Sequence, residues 1–436
     1  MRRNLIVAIV AVVIVAALAV AALTVLTPQR PRVEVVKIGV VYPLTGSLAP
    51  IGQDQVNAIK LVFDEVNAKG GIKSLGGAKL EIVLGDTKGD PRVGADETER
   101  LITVEKVALV MGAYQSAVTE TTSMVAERYG VPFVNPDSTS PLLTERGLKW
   151  FFRVTPHDGI LVIGMLEFLK DLNQKKGLNL RTLAVVYENT LWGQDTGRIV
   201  KENAAKYGFE VILDLQYAAR SPDLTPEVEK IRAANADVVL FASYLTDAIQ
   251  FTKKMKELNV KPKVIIANDA GHIHSDYLKA VGADSEYFFS REVFNADLAA
   301  VKPAIREANE KFKAKYGKDM DGTIARAYTA ALLVVDVLER AGSIDPESIR
   351  KALRETNWPE EKVPMPWKGI KLTRRDRTYC RRAGGSAPGR SLQDRLALER
   401  RHRRGQGSAF PRMAALTTDP TPPLFLFPFI LIPIKR

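Results

Sequence analysis

Short apolar runs that end in proline, glycine or hydroxyl residues alternate along this chain with stretches whose apolar positions recur three and four apart. Residues 35–41 form the first run, closed by Pro43 and Gly46, and residues 56–66 then keep helical spacing up to Lys69-Gly70-Gly71. Residues 80–84 read as a strand. Asp90-Pro91 opens a helix through Ile102, because proline suits a first helical turn. Residues 107–111, 119–128 and 131–134 repeat the scheme, and after 150–154 a second series begins. Its helices are predicted at 160–169, 193–207, 226–234 and 248–258, and its strands at 183–187, 211–215, 238–241 and 264–267. Such alternation predicts an α/β fold of parallel sheets covered by helices on both faces. About 230 residues of these units exceed one comfortable sheet, so two doubly wound lobes are expected. From Lys302 to Glu355 the pattern turns mainly helical.

The two ends break the pattern. Residues 5–26 carry no charge and only Thr24 is polar, enough as a helix to span about 33 Å of hydrocarbon. Arg2 and Arg3 should stay in the cytoplasm, which places everything after Pro28 outside. The segment is read as an anchor; the alanines at 17, 19, 21 and 22 leave a cleaved signal as the alternative. Pro28 and Pro31 mark a stiff spacer. After Ile370 the chain becomes arginine-rich without amphipathic period, then apolar and broken by Pro428 and Pro433. Two readings stand for residues 371–436: a basic interaction tail, or a change of translation frame near 371–374.

Charge follows that division. The net charge is +12, but 15 Lys+Arg against 4 Asp+Glu fall from Lys371 onward, leaving 47 basic and 46 acidic residues in the first 370. A nucleic-acid surface normally shows a strong basic excess on the folded domain, so no nucleic-acid partner is expected. Cys380 is the only cysteine, which excludes an intrachain disulfide, a structural thiolate zinc site and a lipid anchor on a cysteine near the membrane segment.

Candidate chemistry gathers in two turns. MGAYQSAVT holds Ser116 and Thr119, and VPFVNPDSTSPLLTERG holds Ser138, Thr139 and Ser140. In an open parallel sheet such turns lie together at the carboxyl ends of neighbouring strands, where ligands bind. Hydroxyls and free N–H groups at helix starts suit a small carboxylate; any one of these residues taken alone reads first as a helix cap, and it is the two turns on adjacent strands that favour a ligand.

These segments, together with KIGVVYPLTGSLAPIGQD, the DTKGDP turn and VVYENTLWGQD, resemble the extracytoplasmic solute-binding proteins of branched-chain amino acid ABC transporters, which have the type I periplasmic-binding fold. The resemblance covers roughly residues 35–370. It implies a first lobe from residues 33–153 plus about 291–363, and a second from 154–290 plus about 364–370. It implies a carboxylate site at Ser116, Asp137, Ser138 and Thr139, and aromatic cover from Trp192 and Tyr244. It further implies an ammonium partner at Asp269, one methylene shorter than the glutamate common in the family, and a side-chain pocket position at Ile51. The implied action is hinge closure on a small amino acid or amide, followed by delivery to a permease powered by a separate ATPase, with no cofactor and no catalysis. The arginine-rich tail replaces the segment that should finish the second lobe, which would leave that lobe without an edge.

Two other readings are weighed. Asp269, His272 and His274 in NDAGHIHSD form a candidate zinc set for a hydrolase, but no third distant ligand is evident. A ligand sensor of the same fold would need a cytoplasmic output domain, and only Met1 to Asn4 precede the apolar segment. No phosphate-binding loop or nucleophile elbow occurs.

Overall fold

A computed structural model of the protein describes residues 33–286, 288–300 and 302–372, and the backbone of 430–433. The expected membrane segment and spacer, residues 1–32, lie outside the described residues, as does the rest of the tail. Among the described residues no helix is long and apolar enough to cross a membrane.

The first sheet has the order β2-β1-β3-β4-β5 and is parallel throughout. Its strands are β1 (Val35–Tyr42), β2 (Lys79–Asp86), β3 (Leu109–Gly112), β4 (Phe133–Asn135) and β5 (Phe151–Arg153). Helices cover both faces: α1 (Ala49–Ala68), α2 (Pro91–Thr103), α3 (Ser116–Tyr129) and the short α4 (Leu142–Glu145). Central strands buried on both faces explain the continuous apolar runs: Ile38, Val40 and Val41 of β1 are all fully buried.

After α5 (Asp158–Lys176) the second sheet repeats the plan, in the order β7-β6-β8-β9-β10. Its strands are β6 (Thr182–Glu188), β7 (Glu210–Tyr217), β8 (Val238–Ala242), β9 (Val264–Ala267) and β10 (Phe289–Glu292). They alternate with α6 (Leu191–Asn203), α7 (Thr225–Ala234), α8 (Leu245–Glu257) and α9 (Ser275–Val281). In each sheet the strand order reverses once, between β1 and β3 and between β6 and β8. Clefts form at such switch points.

β10 was invisible as a pattern. Its residues read FSRE, and Arg291 and Glu292 are buried, so no apolar run marks the strand.

The chain then returns to the first lobe through α10 (Pro303–Tyr316), α11 (Gly322–Ala341) and α12 (Pro346–Arg354). Lys311 pairs with Glu65 of α1 at 2.9 Å, Lys315 with Asp64 at 2.8 Å, and α11 packs along α1. A short antiparallel pair, β11 (Asn357–Pro359) and β12 (Gly369–Lys371), follows; the Trp358 indole N–H donates to Asp336 of α11 at 3.0 Å. The second lobe does not lack an edge: β13 (Ile430–Pro433), drawn from the tail, pairs antiparallel with β10. Pairing satisfies backbone groups that an open strand would expose.

Candidate functional site

Each lobe brings loops at its switch point to one interlobe cavity of about 20 Å³. Its lining comes from Tyr114, Ser116, Asp137 and Thr139 of the first lobe, Trp192, Tyr244, Asp269, Ala270 and Arg291 of the second, and Arg326 of α11. So little space holds about one water-sized group, and a solute enters only when the lobes part. The lobes are latched across the cleft: Ser140 donates to Asp195 at 2.5 Å, and Thr139 to Asp158 at 2.7 Å.

On the first lobe, hydroxyls stitch the two turns after β3 and β4 together. Thr119 accepts from the Ala113 N–H at 2.9 Å and lies 2.6 Å from the Ser138 hydroxyl, which donates to the Tyr114 carbonyl at 2.9 Å. Asn135 accepts from the N–H groups of Asp137 and Ser138 at 2.9 and 2.8 Å, an Asx turn that fixes both residues. Ser138 is therefore committed to holding the turns together and is not part of the cavity lining. Ser116 and Thr139 are.

Ile51 also falls outside the lining. It is 2% exposed at the start of α1, within the main core. Trp192 holds the corresponding place in the second lobe, in Trp192-Gly193-Gln194-Asp195 against Ile51-Gly52-Gln53-Asp54. Glu188, at the end of β6, accepts from the Thr190 and Gly193 N–H groups at 2.5 and 2.8 Å and so fixes the turn that presents Trp192. Trp192 packs against Tyr244 in a tilted pair with 4.9 Å between ring centroids, and Tyr244 meets Tyr114 from the opposite lobe at 5.6 Å. Beyond Tyr244 lies a second interlobe cavity of about 50 Å³, whose walls include Gln115 and Asp247.

Tyr114, Asp269 and Ala270 have φ of 76°, 64° and 52°, a region that costs non-glycine residues about 1–3 kcal/mol each. Three of the nine described non-glycine residues with positive φ thus fall in this one lining.

Sequence reasoning missed four lining residues, Tyr114, Ala270, Arg291 and Arg326, of which the two arginines are buried charges. Asp269 accepts from Arg291 Nη1 at 2.5 Å, Arg326 Nη2 at 3.0 Å and the Ala270 N–H at 2.6 Å. Burial alone would raise its pKa, but the two guanidiniums hold it below the ordinary carboxylate range. Asp269 thus stands in the cleft already paired, not awaiting an ammonium. Asp137 is different: burial pushes it up to about 7 against the pull of Arg326, whose Nε lies 2.7 Å from Asp137 Oδ1 but out of hydrogen-bond alignment. Its other oxygen accepts from Gln55.

The histidines of the NDAGHIHSD segment do not converge. His272 is buried between Phe241 and Tyr277, and desolvation lowers its pKa to about 3. His274 Nε2 instead contacts Asp54 of α1 across the cleft at 3.3 Å. Among the described residues no group of three or more His, Cys, Asp or Glu side chains could hold a metal ion, which removes the geometric basis for the zinc reading.

The chain matches a family model described as periplasmic binding protein over residues 35–379. It is 29% identical over 347 residues to Leu/Ile/Val-binding protein homolog 8 of Brucella abortus, an alignment spanning 77% of this chain and 84% of the relative. A leucine binding protein (LivK) of Thermotoga maritima has a similar structure, with a TM-score of 0.69 at 24% identity over 79% of this chain and 93% of that one. The solute binding protein of an ABC transporter from Rhodopseudomonas palustris, solved with 3,4-dihydroxy benzoic acid, gives 0.68 at 20% identity over 79% and 90%. With the family model spanning most of its length and the two-sheet architecture in agreement, the chain belongs to the periplasmic binding protein family.

Proposed function

We propose that this protein is the extracytoplasmic substrate-binding component of an ABC transporter. It captures a small carboxylate-bearing solute, of the size of a branched-chain amino acid, and presents the closed form to a membrane permease. The observation that carries this reading is the interlobe lining, where polar and aromatic groups from both switch points face one space. The names of the Brucella and Thermotoga relatives support the ligand size. Residues 33–153 with about 293–372 act as the first lobe and 154–292 as the second; residues 364–370, expected in the second lobe, lie with the first, because β12 pairs with β11 on α11. Ser116, Asp137, Thr139, Trp192, Tyr244 and Asp269 contact the solute, joined by Tyr114, Arg291 and Arg326. No step of the proposed action makes or breaks a covalent bond. Trp192 and Tyr244 exclude water, the hydroxyls and guanidiniums neutralise the carboxylate, and closure follows because the charge is then buried with partners.

A thermal-shift panel of amino acids, amides and organic acids on the full chain tests this. A ligand at 100 times its dissociation constant adds about 2.7 kcal/mol, which raises the melting point by several degrees. Absence of any shift across the panel would refute capture of such solutes.

A further inference from the structure

In the lining of the smaller cavity, Arg326 Nε and Asp137 Oδ1 face each other out of alignment, which leaves Arg326 Nη1 and the Tyr114 hydroxyl as the capacity still to be met. Each nitrogen of Arg291 already has a partner: Nε and Nη2 donate to Asn268 at 3.0 and 2.8 Å, and Nη1 donates to Asp269. Asp269 already accepts three hydrogen bonds. In contrast, Arg326 Nη1 and the Tyr114 hydroxyl are buried in the lining without a partner, and Arg326 Nε meets only the misaligned Asp137 oxygen. Arg326 itself is 3% exposed. A buried guanidinium with an unused N–H that lines the same cavity as an unpartnered phenol is a receptor for an acceptor, and a carboxylate matches it in charge and planarity.

The remaining acids nearby do not offer themselves to a cation. Asp158 accepts from Thr139 at 2.7 Å and from Asn268 at 3.4 Å. Glu292 accepts from the Val293 and Phe294 N–H groups at 2.7 and 3.3 Å. Asp321 caps α11 by accepting from the Ile324 N–H at 2.9 Å. The lining proper therefore sets two carboxylates against two guanidiniums, and of the carboxylates only Asp269 is hydrogen-bonded to arginine. An entering ammonium would have to draw Asp269 away from two arginines.

We propose that the solute is an organic acid, held through its carboxylate at Arg326 and the Tyr114 hydroxyl, with an apolar body against Trp192 and Tyr244 and no ammonium group. This rests on the interlobe cleft being the ligand site, and names the substrate class within it.

Calorimetry on the full chain with two matched pairs decides the matter: leucine against isocaproate, which is leucine without its amino group, and phenylalanine against hydrocinnamate. The deaminated member of at least one pair should bind about tenfold or more tighter than its amino acid, and isocaproamide should bind at least about tenfold more weakly than isocaproate. Equal or tighter binding of the amino acids would overturn the organic-acid assignment while leaving the cleft as a receptor. Failure of all five compounds would overturn both. Arg326→Lys, which keeps the charge but loses the planar fork, should weaken the preferred acid by about tenfold with a cooperative melt retained. Unchanged affinity in a folded variant would also overturn the assignment. If the variant does not fold, the matched pairs still decide on the native chain.

Discussion

Asp247 lies in the wall of the larger interlobe cavity; one oxygen accepts from the Arg220 N–H at 3.1 Å and the other is buried without a partner. Burial pushes its pKa up to about 6, against the pull of the Arg220 amide. The folded chain therefore holds this proton more tightly than the unfolded chain, whose aspartates titrate near about 4. Stability from this group is present below about pH 4 and is lost as pH rises through about 6. Relative to Asp247→Asn, the native chain should lose about 1–2 kcal/mol over that window, seen as converging or crossing melting temperatures. Parallel curves would refute the assignment. Residues of this scale were unevenly legible. Ser116, Thr139, Trp192 and Tyr244 sit where a strand ends and a helix begins, and that boundary shows in a hydrophobicity pattern. Arg326 does not, because it lies inside the most apolar helix, where a lone arginine gives no sign of pointing inward.

The helices α1 and α6 begin with the same device. Gly52 of α1 and Gly193 of α6 each pack directly on the end of the preceding strand or loop. A Cβ at Gly52 would lie 2.0 Å from the Pro43 carbonyl oxygen, and one at Gly193 would lie 2.1 Å from that of Glu188. Backbone on both sides leaves no flexible neighbour to give way, so the helix start must shift. Gly193→Ala is expected to destabilise the chain by about 2–4 kcal/mol and to displace Trp192, lowering ligand affinity beyond the stability loss. A denaturant melt with an unchanged midpoint would contradict the close approach. Elements were the most legible level, since long apolar runs and glycine stops mark them. The exceptions are instructive. β10 is buried yet polar because its arginine serves the cleft, and β13 comes from a segment whose prolines argue against regular structure.

Across the whole molecule, closure rests on a few polar latches. Asp54 of α1 joins Lys318 at 2.5 Å and His274 of the second lobe at 3.3 Å, at the rim of the cleft. Asp54→Asn should weaken ligand binding by about threefold to tenfold through faster release, because a less populated closed form lowers apparent affinity by that fraction. The ligand-free melting point should hardly move. Stopped-flow dissociation unchanged from the native rate would show that this latch does not hold the lobes shut. The two-lobe plan was readable from the count of alternating units, but the latches were not. The Asp54 contacts join residues more than two hundred positions apart, and no local pattern records such pairs.

The pairing of β13 with β10 gives the second sheet a dependence on time. Every other strand of that sheet is available once the chain has been made as far as Glu292, whereas Ile430–Pro433 arrives only after α10, α11, α12 and residues 373–429 have followed. During export the nascent second lobe would cross the membrane with β10 unpaired on one side, a sticky border that a chaperone or a neighbouring chain can reach. Closing that flank of the second sheet therefore waits on the delivery of β13, and a chain stopped short of it would lack the antiparallel partner of β10.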